Sequence, residues 1–246
     1  MLKGLIKEIS GLVLPPPSNC PLCRGRRVEK NKDLCFVCRK ELGHWNKAYY
    51  QCGICGRFLI KEGPCRNCLV TTPPFTKAKA VGPYRGILKE SLHNLKFHGD
   101  RRLANPLGKM LGKAARAGFE TKNIDVVIPV PMYIENLKIR GFNQAELIAS
   151  AVGIEIRKPV IKDVLIKNKD TPPQIQLSRG QRMKNLVGSF AVKNRGHIYG
   201  KTLLLVDDIY TTGSTVRECT LELLKSGAAG VYVGTVATGL IPLPTE

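Results

Sequence analysis

The sequence predicts an α/β fold, a parallel sheet flanked by helices, with a small metal-bound module in front of it. Three observations carry that expectation. Eight of the nine cysteines fall in four C-x-x-C pairs before residue 70. Apolar, strand-like runs bounded by polar residues occur at 126–130 (VVIPV), 203–206 (LLLV) and 231–236 (VYVGTV). Helical periodicity at 87–97, 103–117, 144–152 and 214–226 is interspersed with them, and strands alternating with helices indicate a parallel sheet.

A chain of 246 residues can bury a full core and still leave room for a smaller unit. We expect an N-terminal helix over 1–17, a cysteine-rich domain over 18–72 and an α/β domain over 75–246, with Thr71-Thr72-Pro73-Pro74 as the linker. The opening MLKGLIKEISGLVL is interrupted by Lys3, Lys7 and Glu8 and lacks a small-residue cleavage pattern, so it does not read as a signal peptide. It is also too short to span a bilayer. We read it as a short amphipathic helix docked on the body, a membrane-surface anchor being the alternative, ended by Pro15, Pro16 and Pro17. No transmembrane segment is expected.

The cysteine pairs are Cys20/Cys23, Cys35/Cys38, Cys52/Cys55 and Cys65/Cys68. Each pair delivers two thiolates from a tight turn, which is metal-ligand spacing rather than a disulfide framework. Free thiolates need a reducing compartment, so a cytoplasmic location is expected. Few apolar residues lie between the pairs, and two structural zinc ions would supply the folding free energy directly. Consecutive pairing gives two zinc ribbons, alternate pairing a cross-braced module, and an iron–sulfur cluster is a further occupant. We expect ribbons, because each half already has the spacing of a closed loop. His44 is read as a surface residue and Cys219, inside a helical pattern, as a small buried apolar one.

Lys and Arg outnumber Asp and Glu 39 to 19, a net charge of +20. Such a balance favours polyanions, since each cation that neutralises a phosphate releases a counterion. Nucleic acid is the expected partner; solubility or a small phosphorylated substrate would also account for the excess. Charge does not choose DNA over RNA.

Residues 203–215 read LLLVDDIYTTGST. An apolar strand running into two carboxylates, then a hydroxyl-rich turn, then a helix, is an anion cradle built on free backbone N–H groups. Gly213 lets the backbone approach a phosphate, and Thr211, Thr212, Ser214 and Thr215 add hydroxyls. Asp207 and Asp208 would repel that phosphate, so they need a diol or a divalent cation to hold.

This segment resembles the phosphoribosyl-diphosphate (PRPP) motif of type I phosphoribosyltransferases. The resemblance implies a phosphoribosyltransferase-like α/β domain in which Asp207 and Asp208 grip the ribose hydroxyls of PRPP and residues 211–215 wrap its 5-phosphate, with magnesium accompanying PRPP. IPVPMYIENLKIRGFNQA at 128–145 and TPPQIQLSRGQRMKNLVGSF at 171–190 are similar to the ComF (ComFC) family, competence-associated proteins with a cysteine-rich N-terminus. That likeness implies a pyrophosphate loop containing Pro131, Arg140, Asn143 and Gln144, and a flexible hood containing Gln174, Ser178, Arg182 and Asn185. The basic residues ahead of the hood are Lys167 and Lys169 where the family suggests arginine, point charges in place of bidentate forks.

Purine phosphoribosyltransferases of this type place an acid three residues after their second ribose-binding acid. Thr211 stands there instead, which argues against purine salvage, and no residue is assigned a catalytic role. The resemblance implies a PRPP-binding protein that handles single-stranded DNA in natural transformation, with other DNA-uptake proteins as partners. A phosphoribosyltransferase acting on a nitrogenous acceptor is the alternative.

Overall fold

The computed structural model describes residues 19–30, 32–169 and 186–241. The helix expected over 1–17 lies outside them. The cysteine-rich segment contributes α1 (Phe36–Ala48), β1 (Tyr50–Gln51), β2 (Phe58–Leu59) and α2 (Arg66–Val70). There follow β3 (Lys77–Pro83), α3 (Gly86–Phe97), α4 (Ala104–Gly118), β4 (Val126–Pro129), α5 (Ile134–Arg140) and α6 (Gln144–Ile156). The chain continues through β5 (Leu165–Lys167), β6 (Phe190–Val192), β7 (Thr202–Tyr210), α7 (Ser214–Lys225), β8 (Gly230–Thr238) and β9 (Leu240–Ile241).

The main sheet has the order β3-β8-β7-β4, and every pairing in it is parallel. A strand buried on both faces reads as a continuous apolar run, and β7 is one. Its side chains divide by the period of two. Leu204 and Val206 pack with α3, α4 and α6 through Leu88, Leu107 and Ile148, whereas Leu203 and Leu205 pack with α7 through Val216, Cys219 and Leu223. Helices therefore cover both faces. Cys219 is fully buried, as its helical setting predicts.

On one face α4 and α6 meet closely. A Cβ at Gly108 would lie 2.7 Å from the Ile148 carbonyl, so only glycine admits this contact.

The cysteine-rich segment clasps the β3 edge of the sheet. Cys20, Cys35 and Cys38 join the core on one face, and Cys52, Cys55, Cys65 and Cys68 join the core on the other. The Ala78 backbone amide donates to the Ile54 carbonyl (2.8 Å), and the Gln51 side-chain amide donates to the Ala80 carbonyl (2.9 Å). An edge strand that would expose its unpaired backbone is thus covered. A second, three-stranded sheet joins the same parts, since β2 pairs antiparallel with β1 and parallel with the C-terminal β9.

Two features differ from the sequence reading. β7 does not end at Val206 but runs on through Asp207 and Asp208 to Tyr210, because β8 is equally long and keeps pairing with it, Asp207 with Thr235 and Tyr210 with Thr238. The two acids therefore sit on the rigid end of a strand rather than in a loop. Strand β3, broken by Lys77 and Lys79, and the three-residue β6 were not expected, and the strand expected to end at Ile166 in the main sheet is β5, which pairs antiparallel with β6 outside it.

Candidate functional site

The eight cysteines gather as two consecutive sets, Cys20, Cys23, Cys35 and Cys38, and Cys52, Cys55, Cys65 and Cys68, with ligand atoms within 4.8 Å of one another in each. Zinc bound to thiolate at about 2.3 Å implies a tetrahedral edge of about 3.8 Å. The Cys23 and Cys35 sulfurs are 3.7 Å apart, and those of Cys55 and Cys65 3.6 Å. The donor set and its dimensions both fit structural zinc. Burial pushes the Cys68 thiol up to about 12, so a cation that displaces its proton supplies what burial withholds. His44 is exposed and belongs to neither set.

At the carboxyl end of β7, Asp208 is buried and its Oδ2 lies 2.7 Å from the ammonium of Lys96, on the last turn of α3. Asp207 accepts the Asp208 amide proton on Oδ1 (2.8 Å). It is closely surrounded by protein although its side chain keeps some surface. That burial, reinforced by the neighbouring Asp208 charge, raises its carboxyl to about 7 against the pull of Lys96. One lysine therefore compensates one of two adjacent carboxylates. The other is left able to accept hydrogen bonds from hydroxyl groups.

The turn that follows is shaped by Gly213, at φ +84, where a Cβ would fall 2.2 Å from the Tyr210 hydroxyl. Gly213 is also the N-cap of α7 and has no side chain to cap it. The Ser214 amide donates instead to the Thr212 hydroxyl (3.4 Å), so the turn keeps its hydroxyls gathered at the start of α7. The Thr212 and Ser214 hydroxyls lie 2.9 Å apart, Thr211 is exposed and Thr215 stands in the first turn of α7.

Beside it runs the loop after β4, in register with β7 through Pro129 and Val206, with the Val130 amide donating to the Val206 carbonyl (2.8 Å). Asn143 caps α6 by accepting from the Ala145 amide and donates to the Val130 carbonyl, both at 3.0 Å. It ties the start of the loop to the helix. Arg140 donates to the Gln144 side-chain oxygen (2.7 Å), and Pro131 follows Val130 at the strand's end. Gln174, Ser178, Arg182 and Asn185 lie outside the described residues. The segment that contains them is bracketed by β5 and β6, and the Asn168 amide donates to the Ser189 carbonyl (3.0 Å) just beyond that ladder.

Sequence reasoning missed three residues of this site. Lys96 belongs to a helix whose periodicity was read only as packing. Tyr210 was counted as part of the strand motif, yet it fixes the glycine. Arg57 comes from the second cysteine set, where its guanidinium donates to the Thr211 carbonyl and stands 5.3 Å from the Tyr210 ring. Arg57 is almost fully buried, and with Arg217 it lines a cleft between that cysteine set and the turn. A basic residue two positions after a ligand cysteine was the only available signal.

Asp207 has a stability consequence of definite sign. A carboxyl raised to about 7 holds a proton that the unfolded chain releases near the ordinary aspartate value of 3.8. Its contribution to stability therefore falls as pH rises between those values and stays low above them. Thermal unfolding of Asp207→Asn should show a higher Tm than the parent at pH 8, with the gap closing towards pH 4. A gap that does not depend on pH would contradict the raised value.

The profile of the double zinc ribbon domain matches residues 9–69. Competence protein F of Haemophilus influenzae is 30% identical over 223 residues, which are 89% of this chain and 96% of that protein. DNA utilization protein YhgH of Escherichia coli is 29% identical over 224 residues, 90% and 97% of the two chains. Competence protein ComFC of Bacillus subtilis is 27% identical over 214 residues, 82% of each. Among solved structures, an allosteric regulatory enzyme of purine biosynthesis aligns with a TM-score of 0.40 and 26% identity, over 59% of this chain and 30% of its own.

Proposed function

The chain belongs to the competence protein F family, and from that premise we propose that it binds PRPP at the carboxyl end of β7 and handles single-stranded DNA during DNA uptake. The observation that carries the PRPP half is the juxtaposition at one sheet end of Asp207 and Asp208 with the Gly213 turn and the Asn143-anchored loop. The DNA half is supported by the +20 charge and by relatives whose names refer to competence and DNA utilization.

In this reading Asp207 and Asp208 accept hydrogen bonds from the ribose hydroxyls, and Thr211, Thr212, Gly213, Ser214 and Thr215 enclose the 5-phosphate. Pro131, Arg140, Asn143 and Gln144 form the pyrophosphate loop, where Arg140 supplies positive charge and Asn143 holds the backbone in place. Magnesium bound with PRPP would neutralise part of its diphosphate charge. The hood residues Gln174, Ser178, Arg182 and Asn185 would close over the ligand and exclude water. Residues 18–72 act as the zinc-ribbon unit and 75–246 as the PRPP-binding one. No described helix is long and apolar enough to cross a membrane, and a cytoplasmic setting suits the thiolates.

The second reading, phosphoribosyl transfer to a nitrogenous acceptor, is favoured by the paired acids and the uninterrupted turn. It differs in releasing pyrophosphate when an acceptor is supplied.

Calorimetry with PRPP and magnesium tests the first half. Asp207→Asn combined with Asp208→Asn should abolish measurable binding while both zinc ions remain, and undiminished binding would exclude these acids from the site. For the second half, affinity for single-stranded DNA should fall steeply with salt, with a log–log slope of roughly −4 if about six phosphates are contacted. Binding that is absent, or indifferent to salt, would remove the DNA-handling role.

A further inference from the structure

The last turn of α3 carries chemistry that PRPP binding does not use. Phe97, its final residue, is 62% exposed. The His93 ring lies 4.9 Å from it, His98 lies 5.2 Å from His93, and the Arg140 guanidinium stands 5.9 Å from the Phe97 ring. Phe36 and Tyr199 are comparably exposed, but among the described residues no guanidinium lies over either ring.

Directly beyond Phe97 the chain turns through His98-Gly99-Asp100 into Arg101 and Arg102. The Asp100 carboxylate, 10% exposed, receives Arg24 from the first cysteine set and Arg102 at 3.1 Å. One sheltered acid thus orients two guanidiniums that remain open to solvent, Arg102 at 82% and Arg24 at 42%. Arg101 donates to the Gly141 carbonyl (3.1 Å) and lies 4.7 Å from the Phe142 ring. An open cleft of about 530 Å³ is lined by these three arginines, Asn94, His98 and Asp100. Three fixed positive charges face a single carboxylate there.

We propose that this cleft and the Phe97 ring form the single-stranded nucleic-acid site, a base lying on Phe97 and the neighbouring phosphates on Arg24, Arg101 and Arg102. The inference rests on the DNA-handling reading and gives it a location. A protruding ring with basic neighbours matches what an unpaired strand offers, since every base has a π face and stacking tolerates any sequence. A duplex hides those faces, so the ring selects for single strands. Guanidiniums held by a shared acid meet phosphates with little further loss of side-chain freedom. Lys96, the residue before Phe97, reaches Asp208. The strand would therefore pass the mouth of the PRPP site.

The test is fluorescence anisotropy of the zinc-loaded full chain with a short labelled oligothymidylate and with a strand of equal length made only of abasic deoxyribose phosphates. Phe97→Ala should weaken oligothymidylate binding about tenfold and leave the abasic strand within about twofold, while Phe97→Trp keeps the parental affinity. Arg102→Ala should weaken both strands and make the salt slope shallower by about 0.7. Zinc content and Tm check that each variant is folded. If the parent binds both strands and neither alanine variant changes this, the site lies elsewhere and the DNA-handling reading stands. If the parent binds neither strand at low salt, reading and inference fall together.

Discussion

The hydrogen bond from the Arg57 guanidinium to the Thr211 carbonyl is where the two halves of the protein become one site. Arg57 stands two residues after a ligand cysteine, so the second zinc holds the turn from which it reaches out. The same guanidinium lies against Tyr210, whose hydroxyl occupies the space a Cβ at Gly213 would need. The shape of the Gly213 turn therefore depends on a metal site more than 140 residues earlier in the chain, and the second cysteine set helps to fix that turn rather than being an appendage. A loop fixed in this way loses little entropy when an anion binds.

The period of two along β7 decides how the rest is arranged. It sends Leu204 and Val206 to one core and Leu203 and Leu205 to the other, so both faces need cover. Helices cover them, and one cysteine set joins each core. The segment between the sets must then cross the β3 edge, and it does so with the Gln51 side-chain amide and the Ile54 carbonyl, which hide that edge. The strand that bears Asp207 and Asp208 is consequently central, doubly covered and stiff. Two like charges can be held side by side there because Lys96 compensates one and a raised proton affinity relieves the other.

Much of this was legible in the sequence, where local chemistry dictates local structure. C-x-x-C spacing gave the consecutive metal sets, the LLLV run gave the central strand, and T-T-G-S-T gave the turn ahead of α7. What was not legible depends on partners distant in sequence. Nothing near Val206 tells that β7 continues to Tyr210, since the length of β8 decides it. Arg57 reads as one more basic residue until the fold buries it, and Lys96 sits on a helix where charge at that spacing usually meets solvent. Phe97 looks like part of an apolar stripe and turns out to be exposed because α3 ends there. The roles expected for Asn143 and Gln144 came only from a family resemblance; the structure shows the bonds they make, Asn143 to the Val130 carbonyl and Gln144 to Arg140.

In the proposed reading, nucleotide chemistry and strand binding share the last turn of α3, Lys96 reaching Asp208 and Phe97 standing exposed. Amide hydrogen exchange of the zinc-loaded protein, with and without PRPP and magnesium, bears on the assignment of the ligand site most directly. Strong protection centred on residues 210–216, accompanied by the loop after β4, is the expected result. Unchanged exchange in those residues, at PRPP concentrations where calorimetry shows binding, would place the ligand elsewhere and contradict the assignment.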